Sequence, residues 1–269
     1  MPGRLIVCPT PIGNMEDVTL RTLTTLREAD LIACEDTRRT GKLLERYGVS
    51  AKLVSYNEQN ERKRASELVR KMADGANVAL VSDAGMPLVS DPGYVMVQSC
   101  IAAGLPVEVL PGPSAVLAAL VAAGLPSDHW RFTGFLPRKA GELDSLFTEL
   151  EETLVAFESP RRLAASLDRL AAIDPQRPVA VCRELTKVHE EVARGTAGEL
   201  AAKYGAGEPK GEIVLVVGAA PEAARADRVR AQAVESVARL VASGAKPREA
   251  AKIIAELTGL RANDLYSAG

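Results

Sequence analysis

The sequence predicts an α/β protein of two domains followed by a small helical tail, and three observations lead there. Short β-branched apolar runs alternate with longer helical patterns through the first 126 residues, as in a mostly parallel sheet covered on both faces. From residue 127 to about 220 the strands crowd together. Two of them, separated only by residues 185–189, read as a hairpin, so this second sheet is expected to be mixed. Residues 225–269 show helical periodicity alone. The composition, 47% hydrophobic and 25% charged over 269 residues, sets aside disordered, collagen-like and coiled-coil classes.

In the first domain (1–126), Leu5–Cys8, Leu31–Cys34, Lys52–Tyr56, Val78–Ser82 and Val107–Leu110 are short, continuous and apolar, as buried strands are. Helices are expected at 18–29, 37–47, 58–73 and 93–103, with Gly48, Gly75 and Gly104 placed as C-terminal caps. Ser114 is a natural N-cap for a helix over Ala115–Ala123. The second domain (127–220), entered through Ser127–Trp130, has strands at 131–136, 153–157, 179–185, 189–195 and 212–217 and helices near 142–151, 160–172 and 196–203. The Ala/Pro-rich stretch Ala219–Ala226 reads as a linker to the tail (225–269), whose helices lie at 228–242, 247–257 and 261–267. The last two flank Thr258-Gly259-Leu260 at helix-turn-helix spacing; a packing unit and a nucleic-acid contact are both compatible with that pattern.

Charge and cysteine usage narrow the function. A net charge of −2 argues against wholesale non-specific nucleic-acid binding, although residues 225–269 carry eight basic and five acidic side chains and are the basic part of the chain. Cys8, Cys34, Cys100 and Cys182 are widely spaced in apolar stretches, with only two histidines in the chain. Buried thiols in a reducing compartment are expected, with no metal and no disulfide framework. A strand beginning at Leu5 leaves no room for a signal peptide, and the longest apolar run, Ala115–Leu125, is too short to span a bilayer, so a cytoplasmic protein with no membrane partner is expected.

Ligands in open α/β sheets sit beyond the C-terminal ends of the strands. That rule selects Pro9–Asn14, Glu35–Arg39, Ser82–Gly93 and Pro111–Ala115. The first loop has two prolines and a single glycine, neither G-x-G-x-x-G nor a Walker pattern, which disfavours the usual NAD and ATP enzymes. The third, twelve residues rich in Ser, Asp, Gly and Pro, is longer than ordinary connections, and Gly85 permits close backbone approach there.

PTPIGNMEDVTLR, EDTRRTGKLL, ALVSDAGMPLVSDPG, PGPSAVLAAL, FTGFLPRK, FESPRRL, RELTKVHEE and GEIVLVV, in this order and spacing, resemble the tetrapyrrole-methylase superfamily of S-adenosylmethionine-dependent methyltransferases. Within it the likeness is strongest to the members that 2′-O-methylate a cytidine in the decoding region of small-subunit (16S) rRNA, and it covers residues 4–218 densely. The resemblance implies a class III methyltransferase fold, a homodimer, S-adenosyl-L-methionine as donor in the cleft between the domains, and small-subunit rRNA, within the 30S subunit, as partner. By motif position it implies donor contacts from Pro11, Ala84, Gly85, Met86, Val89, Ser114 and Ala115, with Phe157, Leu185 and Glu212 on the second domain's side. Met86 stands where relatives usually carry Thr, and Arg161 where a His is frequent.

A sulfonium donor brings its own electrophile, which leaves the protein to position a ribose oxygen and manage its proton. The candidates for that proton are Asp36, Glu158, Glu184 and Lys187, all at expected strand ends, with Asp36 and Lys187 foremost. Lys187 qualifies as a base only if its neighbours lower its pKa, and otherwise would bind phosphate. Arg38, Arg39, Arg161 and Arg162, with Lys187, are the expected RNA-backbone contacts. Two other readings stay open: a methylase of a tetrapyrrole or other small molecule, and a non-catalytic RNA-binding protein with a degenerate donor pocket.

Overall fold

The computed structural model describes residues 2–207 and 209–266. Five parallel strands, β1 (Leu5–Val7), β2 (Leu31–Cys34), β3 (Leu53–Ser55), β4 (Val78–Val81) and β5 (Val107–Val109), form the first sheet in the order β3-β2-β4-β1-β5. Successive side chains of a strand point to opposite faces, so an apolar run covered on both sides feeds two cores. Leu5, Val7, Leu31, Ala33, Val78 and Leu80 pack with Leu68 and Met72 of α3 (Glu61–Ala73) and Met96 and Cys100 of α4 (Tyr94–Ala102). Ile6, Cys8, Ile32, Cys34, Ala79 and Val81 face the other way, onto Leu26 of α1 (Leu20–Glu28) and Leu44 of α2 (Thr37–Arg46). The edges depart from expectation. β3 and β5 are only partly buried, with Val109 57% exposed, because each has a neighbour on one side alone.

The second sheet runs β6-β7-β10-β8-β9, from β6 (Trp130–Phe135), β7 (Thr153–Glu158), β8 (Pro178–Arg183), β9 (Glu191–Thr196) and β10 (Ile213–Val217). It is mixed: β6 and β7 are parallel, and the other pairs, including the β8–β9 hairpin, are antiparallel. One face packs on α6 (Ala140–Thr148), α7 (Pro160–Ile173) and α8 (Ala197–Gly205). The other face, with Val155, Ala180, Cys182, Val214 and Val216, packs on Val116, Ala119, Leu120 and Ala123 of α5 (Ala115–Ala123). α5 follows the first sheet in the chain but seals the second, and so joins the two units.

Local chemistry explains the element ends. Ser114, Thr19 and Thr196 cap α5, α1 and α8, the last in a capping box with Glu199, and Gly48, Gly75 and Gly104 adopt the left-handed backbone expected of them. The expected linker is mostly helix instead: α9 runs over Glu222–Ala242, entered through Pro221, since the alanine-rich sequence favours helix and Pro221 at the N-cap, just outside the helix, costs no helical hydrogen bond. Helix α6 likewise begins two residues early, at Ala140, and α3 three residues late, at Glu61. In the tail, α9, α10 (Pro247–Thr258) and α11 (Ala262–Tyr266) share a small core of their own around Ala233, Val237, Ala250, Ala251 and Leu265. The four thiols are buried, and burial pushes those of Cys8 and Cys182 up to about 12 and about 11.

Candidate active site

Two loops of the first sheet, Pro9–Asn14 and Ser82–Gly93, meet because backbone groups tie them together. Thr10 and Gly85 exchange hydrogen bonds of 2.9 and 3.0 Å, the Thr10 hydroxyl donates to the Ser82 carbonyl at 3.1 Å, and the Ser82 hydroxyl donates to the Gly85 carbonyl at 3.2 Å. Gly85 holds φ of +80°, and a Cβ there would sit 3.1 Å from Ile12, so the close approach needs glycine. From the second sheet come the ends of β7, β8 and β10. The backbone N–H of Asn14 donates to the Thr186 hydroxyl at 2.9 Å and latches one set of loops to the other. Among the described residues, the non-glycine positions with left-handed backbone are Leu88, Ser90, Glu184 and Thr186, all in these loops. Each costs roughly 1–3 kcal/mol, strain that gathers where loops are shaped for a ligand.

Between the units lies a cavity of about 370 Å³. Ile12, Val89, Leu185, Val214 and Phe157 supply apolar walls, with the Phe157 ring packed edge-on against Phe132 and Phe135. Asp91, Glu158 and Glu212 add carboxylates. Glu158 is buried, accepts hydrogen bonds from the Ser166 hydroxyl (2.6 Å) and the Ser159 backbone (2.7 Å), and pairs with Arg162. Burial, then the charge of Glu35, raises Asp91 to about 6, against an opposing hydrogen bond from Ser82. An apolar slot edged by carboxylates fits a donor made of an aromatic base, a ribose and a cationic amino-acid arm.

Of the ten donor contacts expected, Ala84, Val89, Ala115, Phe157, Leu185 and Glu212 line this cavity. Pro11 lines the recess beside it. Gly85 and Ser114 shape the loops from behind, as bridge and helix cap. The Met86 side chain packs into the core of the first sheet, so a hydroxyl missing at this position removes nothing from the cavity wall. Ile12, Ser90 and Asp91 line the cavity too; they lie in the PTPIGN and SDPG stretches, but nothing in a lone sequence tells which loop residues turn inward.

The acceptor-side residues separate into two groups: Arg39 and Lys187 line the recess beside the donor cavity, whereas Asp36 and Arg38 line another hollow that shares only Asp83 with it. Asp36 caps α2 and is held in a two-pronged ion pair by Arg38 (2.8 and 3.1 Å), whose hydrogen bonds draw its carboxyl down to about 2. Arg39 pairs with Asp83 at 3.5 Å. Lys187 donates to Glu184 at 2.7 Å and Glu212 at 2.9 Å. Burial pulls its pKa down, but these two carboxylates outweigh it and hold the ammonium above the ordinary lysine value. The condition for Lys187 to act as a base is therefore not met. Glu184 is drawn below the carboxylate range by the same lysine, then by the Glu212 backbone N–H. Arg162 donates to the carbonyls of Leu136 and Pro137 and pairs with Glu158, so its guanidinium braces the fold instead of facing solvent. Arg161 lies beside it at the exposed start of α7. Among the described residues no His, Cys, Asp or Glu group is arranged to hold a metal, and no helix is long and apolar enough to cross a membrane.

Comparison with known proteins adds three findings. The family model for Tetrapyrrole (Corrin/Porphyrin) Methylases matches residues 4–201. Proteins named ribosomal RNA small subunit methyltransferase I are similar over nearly the whole chain: that of Mesorhizobium japonicum is 46% identical, covering 97% of this chain and 90% of that protein, and that of Escherichia coli O157:H7 is 44% identical, covering 98% and 93%. Among solved structures, uroporphyrin-III C-methyltransferase of Thermus thermophilus, complexed with S-adenyl homocysteine, superposes with a TM-score of 0.57 at 21% identity, covering 80% of this chain and 97% of that one. A diphthine synthase superposes with a TM-score of 0.61 at 16% identity, covering 80% and 89%. At these identities the structural matches speak for the fold.

Proposed function

Since the chain belongs to the tetrapyrrole methylase family, and within it to the ribosomal RNA small subunit methyltransferase I group of S-adenosylmethionine-dependent rRNA methyltransferases, we propose that its acceptor is the ribose 2′ oxygen of a cytidine in the decoding region of 16S rRNA. The observation that carries this reading is the meeting of two motifs beside the donor cavity. Arg39 of EDTRR and Lys187 of RELTK line one recess, which shares Ile12, Ala84 and Glu212 with that cavity. A strand whose sugar enters the recess presents its 2′ oxygen to the donor and its phosphate to fixed cations. The setting we assign is the cytoplasm, the substrate the 30S subunit and the active form a homodimer; the chain divides at 126/127 and near 220 into catalytic domains and tail.

The donor supplies a methyl group already activated on a sulfonium, and the remaining work falls to side chains. Ala84, Val89, Phe157 and Leu185 exclude water and hold the donor's flat apolar part; Asp91 and Glu212 offset positive charge. Lys187, kept cationic, steadies the phosphate next to the reacting sugar. Asp36 is the proposed proton acceptor: it lines the adjoining hollow, which shares the Asp83 side of its wall with the recess. A carboxylate held near 2 is a weak base toward a free hydroxyl. As the bond from the 2′ oxygen to the methyl carbon forms and the carbon–sulfur bond breaks, its electron pair leaving on a neutral thioether, the proton on that oxygen becomes strongly acidic, and a weak base suffices.

The test is incubation with labelled methyl donor and either 30S subunits or naked 16S rRNA, followed by nucleoside mass analysis. 2′-O-methylcytidine is expected. A base-methylated nucleoside, or no product on either RNA, would overturn the reading.

A further inference from the structure

The recess next to the donor cavity, about 290 Å³, opens into a wider groove of about 680 Å³ that runs outward between α2 and the β8–β9 turn. Gly13, Met15, Lys42 and Lys187 belong to both hollows, and Arg46 stands at the far end. The path is therefore continuous from the methyl donor to the surface. A string of hollows with shared walls suits a chain molecule with one unit inserted.

Its charge is distributed along that path. Lys42 and Arg46 lie one turn apart on the exposed side of α2, opposite buried Leu43 and Leu44. Their separation along the axis is about 6 Å, comparable to one nucleotide step of an extended strand. Arg38 is occupied by Asp36 and Arg39 by Asp83, but Lys42 and Arg46 have no hydrogen-bond or ion-pair partner among the described residues. Among the described residues Glu16 is the one acid in the groove wall, and Val188 at the hairpin tip is 96% exposed. Unpaired cations on a helix of an otherwise acidic body suit a polyanion.

We infer that the groove between α2 and the β8–β9 turn is a phosphate track for the RNA strand flanking the target nucleotide, gripped by Lys42 and Arg46. The inference rests on the rRNA-acceptor reading above, and it assigns to two residues outside the donor site the task of setting the strand's direction.

The test compares the wild type with Lys42→Gln/Arg46→Gln and with the charge-preserving Lys42→Arg/Arg46→Lys, using whichever of 30S subunits and naked 16S rRNA the wild type methylates. The neutral pair should raise KM for RNA by about tenfold while kcat stays within about twofold. Its log–log salt dependence should be shallower by about 1.4, at about 0.7 per lost single-strand phosphate contact. Donor affinity by calorimetry and the melting temperature should not move, and the charge-preserving pair should behave as wild type. An active wild type alongside a neutral pair with unchanged KM and salt slope overturns the track but leaves the acceptor assignment standing. A loss confined to kcat overturns it too, and a wild type that methylates no RNA removes both.

Discussion

Asp36 illustrates how one side chain serves two ends: it accepts the Arg38 backbone N–H that starts α2 and fixes the Arg38 guanidinium. Asp36→Asn keeps a capping oxygen, so the fold should persist, but it removes the proton acceptor. Single-turnover methylation should slow by up to about 10²-fold, the low end for a positioned base, with donor affinity by calorimetry unchanged; an unaltered rate would exclude the role. Asp91 makes a prediction of opposite sign. Its carboxyl keeps a proton to about pH 6 in the folded chain, against an ordinary value of 3.8, so the folded state binds more protons between those limits. Its contribution to stability is greatest below about pH 4 and is lost as pH rises through about 6. Asp91→Asn should flatten this limb when melting temperatures are compared from pH 4 to pH 7, whereas parallel profiles would show that Asp91 titrates normally. Single residues were legible where a local rule governs them, as with Ser114 at its cap and the four apolar cysteines. Met86 was not, because which way a loop side chain turns depends on a core built from elsewhere in the chain.

At the scale of elements, the central strands could be read directly because β1, β2 and β4 are buried on both faces and carry nothing polar. The edges were harder: a strand with one neighbour has the same apolar letters but a different environment, as Val109 shows. The site's loops were recognisable by position, yet their joining was not, since the exchange between Thr10 and Gly85 is made by backbone, which no side-chain pattern reports. That bridge bears a prediction. Gly85→Ala places a Cβ at φ of +80° and against Ile12, which should cost about 1–2 kcal/mol and weaken donor binding measured by calorimetry. A variant with normal melting and normal donor affinity would show that the loops tolerate separation. The passage into α9 is the reverse case, a proline-marked stretch that looked like a linker and is a helix from Glu222 onward.

For the whole molecule, the net charge of −2 conceals a division: residues 1–224 carry a net of −5 and the tail +3. Binding to RNA is thereby left to placed cations, and affinity should fall as salt rises. The proposed homodimer finds support in apolar side chains that the single chain leaves uncovered on α5, Leu117 and Val121, one turn apart and 53% and 81% exposed, and in the unpaired edge of β5. Sedimentation should give a dimer for the wild type and a monomer for Leu117→Lys/Val121→Lys; a dimer in both would move the interface elsewhere. The opposite side of α5 has a consequence in time. Ribosomes make this helix with the first domain, but the surface that covers Val116 and Leu120 is completed only by β10, the last strand made and the central one of its sheet. A nascent chain therefore carries an apolar helix without its cover for some ninety residues of synthesis, an interval in which a chaperone has something to hold. A chain released before Val214 lacks residues that complete the wall of the donor cavity.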